Sequence, residues 1–226
     1  MHDAHFHYSA EIVELQKEYA IPSICNAANL EEYQIVQENA LLYSCGMHPW
    51  YADEEKLEEL LPYIQKAPFV GEIGMDNVWC NVDLTIQKKV FEKQIRFAYS
   101  WHKPVILHTK GQEKEILEIL QKNPNTYIVH WYSCEKYIAE YNSVASYFTV
   151  GPSVGKDDAV TKLVEMIPLE KLLLETDGID AVEWAVGHRN YVEALQHSMH
   201  VIATIKNVSF EAVEQILDNN FQRLIG

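Results

Sequence analysis

FVGEIGMD (69–76), IQKKVFEKQIRFAYSWH (86–102) and PVILHT (104–109) stand in succession and decide the fold. The outer two are short apolar runs without polar alternation, the pattern of strands buried on both faces. The middle one is an amphipathic helical stretch. A strand, a helix and a second buried strand form a βαβ unit, whose strands run parallel.

Working outward, the same alternation continues in both directions. Strand candidates precede the unit at DAHFHY (3–8), IPSICNAA (21–28) and LLYSCGMHP (41–49), and follow it at TYIVHWYS (126–133), SYFTVGPS (146–153) and KLLLETDG (171–178). Helical patterns such as EIVELQKEYA (11–20), DEEKLEELLPYIQK (53–66) and GQEKEILEILQKN (111–123) lie between them, the one after GPSV being short. Two further helical stretches, 191–206 and 209–225, close the chain. Eight strands each followed by a helix predict a (β/α)8 TIM barrel spanning 1–226 as one domain, with a doubly wound open sheet as the competing architecture.

Composition narrows the function. The 226 residues are 48% hydrophobic and 23% charged, the profile of a globular protein. No apolar run is long enough for a membrane span and the N-terminus lacks a signal-peptide pattern, so the expectation is a cytoplasmic protein without membrane partners, and a monomer. Cys25, Cys45, Cys80 and Cys134 are widely spaced and read as reduced core residues. A formal net charge of −15 argues against a broad cationic face for nucleic acid, so any anionic substrate must be drawn in locally.

In a barrel, functional residues gather at the C-terminal ends of the strands. His5 and His7 lie late in the first strand candidate and, with Asp3, share one face of it, because alternate strand residues point the same way. Glu72 interrupts an apolar strand; His108, His130 and Asp177 fall at or near the ends of theirs, and His48 follows the third. Buried carboxylates and imidazoles without partners are costly, so a metal is the economical explanation for so many at one end. Four imidazoles (His5, His7, His108, His130) and two carboxylates (Glu72, Asp177) exceed the needs of one tetrahedral ion and suit a two-metal hydrolase with an open position for water. The expected cofactor is two divalent ions per chain, from Zn, Mn, Fe, Co, Ni or Mg, the nitrogen-rich donors favouring the first five.

These segments, in order, resemble the TatD-family metal-dependent deoxyribonucleases, a branch of the amidohydrolase-like metallo-hydrolases: DAHFH, GMHPW, VGEIGMD, KPVILHT, YIVHWYS, LLLETD and the terminal NNFQRLIG. The resemblance implies that His5, His7, Glu72, His108, His130 and Asp177 are the metal ligands, that Glu72 bridges the ions, and that Asp177 also handles the proton of the attacking water. It implies cleavage of phosphodiester bonds in DNA ends or short single strands; the other reading is hydrolysis of a small non-nucleic substrate (amide, lactone or phosphate ester) at the same site. The chain departs from the family pattern in substrate-side loops, with HTKG after the fifth strand, HWYSC after the sixth, and GIDAVEW and RNYV after the eighth. Lys110 takes the cationic role there; His48, Lys110 and Arg189 are the expected substrate contacts. Trp79, Trp131 and Tyr132 sit in loops and are read as loop packing or base stacking.

Overall fold

The computed structural model describes residues 1–226. Eight strands, β1 (Asp3–His7), β2 (Ser23–Ala27), β3 (Tyr43–Cys45), β4 (Phe69–Asp76), β5 (Val105–Lys110), β6 (Tyr127–Val129), β7 (Tyr147–Val150) and β8 (Leu172–Leu174), form one sheet in the order β1 to β8. Helices α1 (Ala10–Glu18), α2 (Leu30–Glu38), α3 (Glu54–Ile64), α4 (Leu84–Ser100), α5 (Glu113–Lys122), α6 (Ile138–Val144), α7 (Asp158–Met166) and α8 (Ile179–Val186) alternate with them. Two more, α9 (Tyr191–Lys206) and α10 (Phe210–Ile225), close the chain. Eight parallel strands alternating with helices in sequential order are a (β/α)8 TIM barrel. No helix is long and apolar enough to cross a membrane.

Helix starts follow their caps. Asp53, Asp83, Asn29, Asp157, Asn190 and Ser209 each accept a first-turn backbone N–H, satisfying donors that a helix leaves open. Gly187 and Asn207 end α8 and α9 in the left-handed conformation.

Contacts divide the chain into two compact units. The first comprises Met1–Cys25, Trp131–Ile138 and Tyr147–Gly226. Its core is built on Phe6, Phe148, Leu172 to Leu174, Leu195 and Phe221, all fully buried. His2 is buried there too, accepting from Leu174 N at Nε2 (3.0 Å) and facing Asp218 through Nδ1 (2.9 Å).

The second unit comprises Asn26–His130 and Ala139–Ser146. All eight residues of β4 are buried, with Phe91, Ile95, Val105 and Ile128 fully or nearly fully buried among them. Burying each such side chain contributes about 1.5–3 kcal/mol. Two buried glutamines of α4 clamp backbone ends. Gln94 Oε1 accepts from Met47 N (2.7 Å) while its Nε2 donates to Met47 O (3.1 Å). Gln87 does the same at Asp76, at 2.8 and 2.9 Å. The segments carrying His48 and Asp76 are thereby fixed by paired hydrogen bonds.

The β4–β5 register pairs Gly74 with His108 and slips between Val70 and Ile73, a bulge centred on Gly71 and Glu72. Gly74 admits no side chain, since a Cβ there would lie 1.8 Å from the His108 carbonyl oxygen. Gly74→Ala is therefore expected to cost about 3 kcal/mol or more by forcing the two strands apart. Denaturant unfolding checks this; a variant within 1 kcal/mol of the parent, on the order of a tolerated surface change, would contradict it.

Strands β6 and β8 are shorter than their apolar runs. β6 stops at Val129 and β8 at Leu174, so His130 and Asp177 lie just beyond rather than within them. Isolated backbone bonds still hold these positions: His130 N donates to Leu107 O (3.0 Å) and Asp177 N to His5 O (3.1 Å).

Candidate metal centre

In the first unit, His5 and His7 project from the same face of β1, their rings 5.4 Å apart and edge-on. Asp177 reaches them from the turn after β8. Its Oδ1 stands 3.4 Å from Nε2 of His5 and 3.4 Å from Nε2 of His7. The three donor atoms lie within 4.8 Å of one another. That spacing exceeds an ordinary hydrogen bond. It matches ligands of one ion, because bonds of ~2.1 Å at the tetrahedral angle set ligand atoms about 3.4 Å apart. His5 is fully buried, while the His7 and Asp177 side chains are 43% and 26% exposed, so one side of the cluster opens to solvent.

Asp177 sits at φ +62°, a left-handed backbone uncommon outside glycine, asparagine and aspartate. A buried network holds it there. Asp3 Oδ1 accepts from Thr176 N (3.0 Å) and Asp3 Oδ2 from Thr176 Oγ1 (2.6 Å) and Tyr191 OH (3.0 Å). Gln16 Nε2 donates to Tyr191 OH (2.9 Å), and Gly178 N to Thr176 Oγ1 (3.2 Å). Asp3 thus anchors the turn bearing Asp177; no imidazole bonds to it. Burial pushes its carboxyl up to about 7, against the pull of the Thr176 and Tyr191 hydrogen bonds.

In the second unit, three imidazoles surround Oε1 of the buried Glu72: His108 Nδ1 at 2.6 Å, His48 Nε2 at 3.5 Å and His130 Nε2 at 3.6 Å. Donors of His48, Glu72 and His108 lie within 4.8 Å of one another. The bulge aims Glu72, and Asn26 Oδ1 secures it by accepting from Glu72 N (2.7 Å) and Ser44 Oγ (3.0 Å).

The two ring nitrogens of His108 and His48 have distinct partners. His108 Nε2 faces Asp76 Oδ2 (3.1 Å), the carboxylate–histidine arrangement that leaves Nδ1 as a ligating atom. His48 Nδ1 accepts from Trp50 N (3.2 Å), so the neutral ring carries its proton on Nε2 and presents a donor, not a lone pair. Burial pulls the His108 ring down, but Glu72 and Asp76 together carry it up to about 9. Burial likewise works against the Asp76 carboxylate, yet hydrogen bonds from His108, Trp50, Trp79 and Val78 hold it well below the usual range.

Among the expected substrate contacts, His48 joins the Glu72 cluster, and Lys110 ends β5 in register with Asp76. Arg189 donates to Asp180 (2.8 Å) and Glu183 (2.6 Å) on α8. Of the loop aromatics, Tyr132 is fully buried with its hydroxyl on Lys136 O, and the Trp131 indole donates to Ser153 Oγ, so both serve loop packing. Trp79 is exposed. Sequence reading missed Asp76, although it ends an apolar strand as Glu72 interrupts one. It also missed Trp50, whose indole donates to Asp76 Oδ2 at 2.7 Å.

A (β/α)8 fold with clusters able to hold metal ions beside its strand ends defines the class of metal-dependent hydrolases. The model of the TatD-related DNase family matches residues 3–226, and the chain belongs to that family. It is 28% identical over 204 residues to the "uncharacterized metal-dependent hydrolase YabD" of Bacillus subtilis, covering 84% of this chain and 80% of that one. It is 29% identical over 159 residues to the human "3'-5' RNA nuclease TATDN2", covering 64% of this chain and 21% of that one. The crystal structure of YjjV, a TatD homologue from Escherichia coli, superposes with a TM-score of 0.83 at 23% identity, over 99% of this chain and 97% of that one.

Proposed function

We propose that this metal-dependent hydrolase cleaves phosphodiester bonds of DNA ends or short single strands, in one catalytic domain with two divalent ions per chain. The observation carrying the reading is the pair of clusters that gather imidazoles about a carboxylate, His5 and His7 at Asp177 and His48, His108 and His130 at Glu72. Membership of the TatD-related DNase family and the nuclease named among the relatives support a nucleic-acid substrate.

His5, His7 and Asp177 would hold one ion; Glu72, His108 and His130 would hold the second. Divalent ions held there would polarise a phosphoryl oxygen and lower the pKa of water, and their positive charge would offset the net charge of −15 toward an anionic substrate. Asp177, with one side open to solvent, accepts the proton of the attacking water at its carboxylate. His48 donates from Nε2 to a non-bridging phosphate oxygen, and Lys110 offers its ammonium to another. Arg189 is a third contact and first has to leave Asp180 and Glu183.

Proton release reports on His108. In the metal-free chain the ring titrates at about 9 against an ordinary 6.5, so its proton stabilises the fold fully below pH 6.5 and ceases to do so as pH rises through 9. To ligate an ion, Nδ1 would have to give up that proton. Metal binding at pH 7 is expected to release about one more proton from the parent than from His108→Gln. Calorimetric titration in buffers of different ionisation enthalpy checks this, and equal release from both would remove His108 from the ligand set.

The substrate test gives metal-loaded protein a short single strand, an intact circular duplex and a panel of amides and lactones. The single strand is the expected substrate. Rapid turnover of a neutral substrate with no DNA cleavage would overturn the nuclease reading.

A further inference from the structure

The segment after β3 carries two aromatic residues that the chemistry above does not use. Trp50 and Tyr51 are 46% and 53% exposed, and a cavity of about 470 Å³ opens against them, with Leu30, Met47, Lys56 and Val82 among its other walls. That volume lies within the range of small-ligand sites, roughly 300–1,000 Å³.

The Trp50 ring is held in place. Its indole nitrogen donates to Asp76 Oδ2 (2.7 Å), its backbone nitrogen donates to His48 Nδ1 (3.2 Å), and the His48 ring stands edge-on to it at 5.2 Å. The same Asp76 oxygen meets His108 Nε2 at 3.1 Å. One carboxylate oxygen therefore registers an exposed aromatic ring against a side chain assigned to metal binding.

Charge selects the occupant. The lining bears one cation, Lys56, and two carboxylates, Asp53 and Glu59, with Lys56 Nζ 3.9 Å from Asp53 Oδ2. A phosphate gains no net attraction there. A neutral planar heterocycle gains aromatic surfaces, and its exocyclic amino groups gain carboxylate acceptors. A chain of net charge −15 offers no net cationic field along which to track a phosphate backbone, so stacking would add affinity for a strand beyond the local phosphate contacts.

We propose that this cavity is a nucleobase-binding subsite, which takes a base of the bound substrate beside the Glu72 cluster. The proposal rests on the nucleic-acid reading given above and names the recognition that reading lacks. Stacking on a protein aromatic is sequence-tolerant, so no strong base preference is expected.

Adenosine, which offers a base and no phosphodiester, is the probe. Calorimetric titration of the full-length protein, metal-loaded and chelated, is expected to show binding in both states. Tyr51→Ala and Leu30→Asp should each weaken it about ten-fold, within the range of one stacked base. Both side chains are exposed, so an unchanged thermal midpoint checks that the fold is kept. The same variants should raise KM for a short single-stranded oligonucleotide by a similar factor. Absence of adenosine binding, binding indifferent to both substitutions, or equally tight binding of N-acetyltryptophanamide would overturn the subsite. Adenosine binding lost in both variants, with no oligonucleotide cleaved by the parent, would leave the subsite standing and overturn the cleavage reading alone.

Discussion

Replacing His5 and His7 together by alanine is expected to remove about one bound ion per chain and to take hydrolysis to background. Both Nε2 atoms face Asp177 Oδ1 at 3.4 Å, so the double substitution strips two of three donors from one cluster while leaving Glu72, His108 and His130 in place. A carboxylate alone does not hold a divalent ion of this class tightly. Circular dichroism should show the barrel retained, since His7 is 43% exposed and the core around β1 is carried by Phe6 and Ala4. Unchanged metal content by elemental analysis would refute the assignment.

Asp177→Asn is the second large effect, expected to lower kcat by at least ~10²-fold, the usual contribution of a general base. Asparagine tolerates the left-handed φ of +62° and keeps an oxygen toward the two imidazoles, so the turn should survive. What it lacks is the capacity to accept a proton. Single-turnover cleavage at matched metal content measures this, and a near-parental rate would assign the proton to another group.

The alternation of buried strands and amphipathic helices was legible because each strand is covered on both faces, so its apolar run is continuous and bounded by polar turns. The ends were less legible. His130 and Asp177 extend apolar runs in the sequence, yet the backbone leaves the sheet before them, held by single bonds to Leu107 and His5.

The face shared by Asp3, His5 and His7 was readable from their spacing; the role of Asp3 was not. Its partners Thr176 and Tyr191 lie 173 and 188 positions away, so only the fold reveals that it anchors the Asp177 turn rather than an imidazole. Nothing in the sequence sets Asp76 apart from an ordinary aspartate before asparagine at a strand end, where such pairs favour turns. The β4–β5 register, which sets Gly74 beside His108, is what brings it to His108 Nε2. Tyr132 shows a case the sequence left open between loop packing and base stacking: its complete burial, with its hydroxyl on Lys136 O, makes it loop packing.

The most direct measurement is a metal titration read by catalysis. Protein stripped with a chelator and shown to be metal-free by elemental analysis would be titrated with Mn²⁺ while cleavage of a short single-stranded DNA is followed. Cleavage should be absent at the start and reach its plateau at two equivalents per chain. Undiminished cleavage by the metal-free protein would contradict the account.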